Sequence, residues 1–160
     1  MFVPQVSAPP GPKPVMVRRV EIAQAALDHF RGKPFAWGTN DCARLAAFVL
    51  KAAGYKPGLA RFGSYRTERA ARAALNANGM SSMADAIDSI KGLIRIAPLG
   101  ALPCDLISFP GPDNWDALAV ALGNGRILAF YDGLEDHRCS VLAANLSLAG
   151  TAWGVAPCLR

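Results

Sequence analysis

Histidine is scarce in this chain of 160 residues: there are only two, His29 and His137. That scarcity removes the patterns that need several imidazoles, among them the HExxH zinc motif. No Ser-His-Asp arrangement, phosphate loop or GxGxxG turn is present either. The four cysteines, Cys42, Cys104, Cys139 and Cys158, are far apart, with no CxxC pair and no metal-ligand spacing. No metal and no cofactor are therefore expected, and free thiols are. Charged residues are also sparse, at 18%, against 52% hydrophobic residues, which excludes a disordered or collagen-like chain. No uninterrupted apolar run is long enough to span a membrane. The net charge of +5 is spread along the chain rather than gathered in a stripe with aromatics, so no nucleic-acid partner is expected. The opening Met-Phe-Val-Pro-Gln-Val-Ser has neither a basic nor an apolar region of the secretory kind, and synthesis in a reducing cytoplasm is expected.

What is present divides into an arm and one domain. Residues 1–16 hold five of the twelve prolines and predict an extended arm, either a loose terminus or a segment that docks on a neighbour. Residues 17–160 are long enough for a single domain. Apolar spacing predicts a helix over 17–30, with Ile22, Ala23, Ala26, Leu27 and Phe30 on one face, stopped by Arg31-Gly32-Lys33-Pro34. A second helix is expected over 41–53, with Cys42, Leu45, Ala46, Val49, Leu50 and Ala53 as its stripe and Gly54 beyond its end. Two shorter helices follow, over 67–76 and 82–90. From residue 93 the pattern changes to short strands, over 93–97, 105–109, 117–122, 126–131, 139–143 and 151–156. Gly123-Asn124-Gly125 marks a tight hairpin. Helices first and an antiparallel sheet afterwards means α+β.

Cys42 is the residue with chemistry to offer. In the first turn of a helix, a sulfur meets the positive end of the dipole and unpaired N–H groups, and both favour thiolate. The neighbouring Asp41 works against it. Cys42 also begins the apolar stripe, as an inert buried cysteine would.

Phe35-Ala36-Trp37-Gly38-Thr39-Asn40-Asp41-Cys42-Ala43, followed by Leu45 and Phe48-Val49, resembles the nucleophile segment of NlpC/P60 cysteine peptidases, most of all the short branch found in tailed bacteriophages and gene transfer agents. Pro103-Cys104-Asp105-Leu106-Ile107-Ser108-Phe109 is similar to that family's Gly-Asp-Leu-Val strand, with Cys104 at the glycine position. The hairpin over 117–129 is similar to the next one in the family. The resemblance covers residues 22–131. It implies a papain-like, NlpC/P60-type α+β fold, with N-terminal helices packed on a C-terminal antiparallel sheet and the Cys42 helix against the central strands. Cys42 would stand at the nucleophile position, and Trp37 and Asp41 beside it are candidate binding residues.

The departures from the family bear on activity. The resemblance places the general-base histidine at position 117 and its orienting partner at 129, and both are alanine here. Alanine neither takes nor gives a proton, so the pairing that activates a nucleophile is missing and Cys42 reads as vestigial. The expected function is a structural part of a phage or phage-like tail, at its tip, located in the virion. Its partners would be hub, fibre or distal tail proteins, with peptidoglycan as a further ligand. One rival is an active peptidase or amidase cutting peptidoglycan stem peptides, with Cys42 as nucleophile and His137 as a relocated base oriented by Asp136 or Glu135. Another is a cell-wall-binding module without catalysis. His29 reads as a cation at a helix C-terminus. Trp115 sits in a polar loop, either as an interface anchor or packed over the sheet edge.

Overall fold

The fold is known from a computed structural model whose described residues are 10–131 and 137–157. Four helices come first: α1 (Val15–Phe30), α2 (Cys42–Ala53), α3 (Glu68–Ala77) and α4 (Met83–Asp88). Six strands follow: β1 (Ile94–Ile96), β2 (Leu106–Phe109), β3 (Ala117–Gly123), β4 (Arg126–Phe130), β5 (Cys139–Ala143) and β6 (Ala152–Gly154). The chain is α+β, as its sequence predicts. Helix α1 begins two residues inside the expected arm, at Val15 after Pro14, whose fixed φ suits a helix entry. Residues 1–9 of that arm lie outside the described residues.

Three helices start on side-chain caps. Asp41, Thr67 and Ser82 each accept a hydrogen bond from the backbone N–H three residues on. Helix α2 ends at Gly54 with φ +98°, a left-handed conformation that glycine adopts without a steric penalty.

The sheet is antiparallel throughout, in the order β1-β6-β2-β3-β4-β5. Strands β2 to β5 form a meander of sequential neighbours, whereas β6 inserts between β1 and β2 at the end of the chain. Asn124 and Gly125 both take positive φ at the β3–β4 turn, which lets the hairpin follow the right-handed twist of its strands.

Alternation along the strands sorts their side chains onto two faces. Leu106, Leu118, Val120, Leu128 and Trp153 face the helices and join Ile22, Phe30, Leu45, Val49 and Leu50 in the main core. Burying each large aliphatic or aromatic side chain there contributes about 1.5–3 kcal/mol. Ile107, Ala119, Ala121, Ile127, Ala129 and Ala152 occupy the other face, in a smaller cluster. Short residues there let the segments around Ala101 and Leu146 cover the sheet without an α-helix.

One polar connection crosses the main core. Arg19 on α1 is 7% exposed and its guanidinium meets Asp105 at 2.7 Å. Asp105 also accepts N–H bonds from Leu102 and Val155, both at 2.8 Å, so its carboxylate ties the entry of β2 to the exit of β6. Arg19 reads in the sequence as one more scattered cation, but it is a buried tie.

Candidate functional site

Cys42 opens α2 because the preceding turn is locked in place. Asp41 is 1% exposed, and its two carboxylate oxygens accept N–H bonds from Gly38 and Arg44, both at 2.8 Å. Gly38 has φ +78°, and a Cβ there would collide with the Tyr65 carbonyl oxygen. The Trp-Gly turn of the sequence motif thus exists because only glycine can lie under Tyr65. The Tyr65 hydroxyl donates to Asp41, and burial together with that negative neighbour pushes the phenol's proton affinity up. Asp41 is a buried cap and hub.

The Cys42 thiol is half-buried, packed against the main core, with the backbone N–H of Leu118 on β3 as its hydrogen-bond donor. Burial pushes its pKa up from 9.0 to about 11, and the negative charge of Asp41 adds to the rise. The N–H groups of Leu118, Cys42 and Ala43 pull the other way without compensating. The helix N-terminus favours thiolate, as its sequence predicts, but desolvation of the charged form outweighs it. At neutral pH the sulfur is a thiol.

The groups setting that proton affinity include no imidazole. Ala117, the first residue of β3, lies next in sequence to the Leu118 that contacts the sulfur, and it is exposed. Position 117 is thus one residue along β3 from the sulfur's hydrogen-bond donor, and it carries only a methyl group. Ala129 lies opposite Ser140 in the cluster on the far face of the sheet. His29 is stacked on Phe48 with ring centres 5.0 Å apart, and its Nε2 is 3.4 Å from the Lys33 ammonium. His137 is exposed at the entry to β5, next to Arg138, which donates to the Gly32 carbonyl. Strand β4 separates β5 from the β3 strand that touches Cys42. Two strand spacings are about 10 Å, so the His137 backbone lies well away from the sulfur. Asp136 and Glu135, its suggested orienting partners, lie outside the described residues.

Two tryptophans stand near the thiol. The rings of Trp37 and Trp115 are 6.2 Å apart, both half-buried, and the Arg72 guanidinium sits over Trp115 at 4.6 Å. Trp115 is therefore packed rather than displayed on a loop tip. Arg72 also pairs with Glu68 at 2.8 Å and donates to the Asp113 carbonyl. Phe35 continues the aromatic row, edge-on to Trp37 at 4.8 Å and to Phe130 at 5.5 Å. Sequence reasoning missed Tyr65 and Arg72, because each is placed by contacts with residues distant along the chain. Among the described residues, no three His, Cys, Asp or Glu side chains gather as a metal site requires.

Comparison with known proteins gives two findings. The model of a family described as a domain of unknown function (DUF6950) matches residues 18–155. Among solved structures, RipD from Mycobacterium tuberculosis, described as a non-catalytic NlpC/p60 domain protein with an adaptation to peptidoglycan-binding function, aligns with a TM-score of 0.43 and 18% identity, covering 89% of this chain and 96% of that one. A search of curated proteins found no match.

Proposed function

The chain belongs to the DUF6950 family, and we propose that it acts as a non-catalytic structural module: an NlpC/P60-like domain with a retired nucleophile, built into the tail of a phage or phage-like particle. The observation that carries this reading is the Cys42 thiol, protonated at neutral pH, with a backbone N–H as its donor and alanines at the positions where the sequence resemblance calls for the base and for its orienting partner. A nucleophile without a base to take its proton loses many orders of magnitude in rate. The resemblance to the tail branch supplies the setting, with hub, fibre or distal tail proteins as neighbours.

Two experiments test it. Purified protein and its Cys42→Ala variant are assayed for cleavage of peptidoglycan stem peptides. No turnover is expected from either, and turnover that disappears in the variant overturns the reading in favour of a peptidase. Tail particles are then purified from a host carrying the gene and their composition is measured. The chain is expected in fixed stoichiometry, and its absence from washed particles removes the structural role.

A second reading rests on the Trp37–Trp115 pair, half-buried near Cys42, whose remaining exposed surface offers apolar contact to a sugar or peptide. In that case the module grips cell wall without cutting it. Sedimentation with purified peptidoglycan over a range of salt concentrations tests it, with binding lost in Trp115→Ala as the supporting result.

A further inference from the structure

Arg44, Lys51 and Lys56 read in the sequence as scattered cations, but α2 and the loop after it bring them to one groove of about 490 Å³. Arg44 and Lys51 are seven residues apart on α2. That spacing puts them within about 20° of one line along the helix and about 10 Å apart at the backbone. Lys56 follows the Gly54 cap, and the segment from Pro57 to Gly63 forms the opposite bank. Among the described residues, no Asp or Glu lines the groove and none of the three cations forms an ion pair. A hollow along α3 also holds arginines, but Glu68 lies in it and pairs with Arg72.

Arg44 is placed against the interests of the fold. It stands in the first turn of α2, at the positive end of the helix dipole, where a cation is disfavoured. It is half-buried, and its Nε is out of water with no hydrogen-bond acceptor among the described residues. A charged donor in that state costs stability until something bonds it. Asp41, three residues earlier, is engaged with the backbone N–H groups of Gly38 and Arg44. Three like charges around one hollow also repel one another, and an anion among them offsets both costs. At this spacing a small ion meets one cation, whereas a ligand with several negative groups meets all three. The volume is in the range of small-molecule sites, about 300–1,000 Å³, and a guanidinium fork pairs with the oxygens of carboxylate or phosphate. We propose that this groove binds a multivalent oxyanion, its negative groups shared among Arg44, Lys51 and Lys56. Cys42 precedes Arg44 by two residues and so lies about 160° away round the helix. The groove is separate from the thiol, and the proposal depends on neither the catalytic state of the domain nor its place in a tail.

The test titrates the full chain with tripolyphosphate, tetraglutamate and inorganic phosphate, following heat of binding and the unfolding temperature. Saturable binding of a multivalent probe is expected, at least about tenfold tighter than that of inorganic phosphate, together with a raised unfolding temperature. The tighter of the two multivalent probes identifies phosphate or carboxylate as the group recognised. Arg44→Gln should weaken its binding about tenfold. Lys51→Gln and Lys56→Gln, at exposed positions, should weaken it about threefold each. The two lysine variants keep the test decisive if Arg44→Gln does not fold. Arg126→Gln removes the same charge from the β3–β4 hairpin, outside the groove, and should change affinity by less than about twofold. No saturable binding of either multivalent probe, inorganic phosphate binding as tightly as they do, or an equal loss in Arg126→Gln and the lysine variants overturns the proposal. Each of these results leaves the non-catalytic reading intact, since none depends on the state of Cys42.

Discussion

Arg19 and Asp105 form an ion pair at 2.7 Å with side chains 8% and 2% exposed, joining α1 to β2 across the main core. The pair belongs to a larger arrangement, because Asp105 also receives the Leu102 and Val155 N–H groups and Arg19 donates to the Pro103 carbonyl. Removing one partner strands the other charge in a dry interior. Asp105→Ala is therefore expected to cost about 3–5 kcal/mol, and Arg19→Leu to fall in the same range. Urea unfolding measures both; losses below about 1 kcal/mol would mean that water reaches the pair.

Stability should fall at alkaline pH. Burial raises Cys42 from 9.0 to about 11, and Cys104 and Cys139 to about 12. Between pH 9 and those values the unfolded chain has released protons that the folded chain still holds, so stability declines as pH rises. The contribution is complete below pH 9 and is lost through the window from 9 to about 12. Unfolding midpoints measured across this range should drop steadily, and Cys104→Ala with Cys139→Ala should flatten the slope. For the same reason Cys42 should be alkylated slowly at neutral pH, with a rate that climbs until about pH 11.

Gly38→Ala tests the turn that delivers Cys42. The new Cβ meets the Tyr65 carbonyl, and the backbone must leave φ +78° or bear strain on the order of 1–3 kcal/mol. A destabilised protein with a more reactive Cys42 is expected, because loosening the Gly38–Asp41 bond opens the cover over the sulfur. Unfolding curves and thiol titration report the two effects separately.

Arg72→Ala removes the cation over Trp115 and the pair with Glu68. At this partly exposed site the stacking is worth about 0.5–1 kcal/mol. The near-ultraviolet circular dichroism of the Trp37–Trp115 pair should weaken with it, and Trp115→Phe should abolish that signal. An unchanged spectrum in both variants would falsify the packed placement of Trp115.

Much of the fold is legible because it is local. The α2 stripe of Leu45, Ala46, Val49, Leu50 and Ala53 is buried as the spacing predicts, and β5 has the expected ends. What escapes the sequence is non-local. The insertion of β6 between β1 and β2 depends on pairing with residues about fifty positions earlier, which no periodicity records. Arg19 looks solvated because its partner lies 86 residues away. At the site, the helix start and the missing imidazoles can be read from the residues, but the thiol's proton affinity cannot, because desolvation depends on what is folded over it.

Ala129 has a longer reach than its size suggests. It is 7% exposed and sits among Ile107, Ala119, Ala121 and Ile127 on the sheet face away from the helices. A histidine there would force an imidazole into tightly filled hydrocarbon, so the far face of the sheet excludes a titratable ring by volume before chemistry is considered.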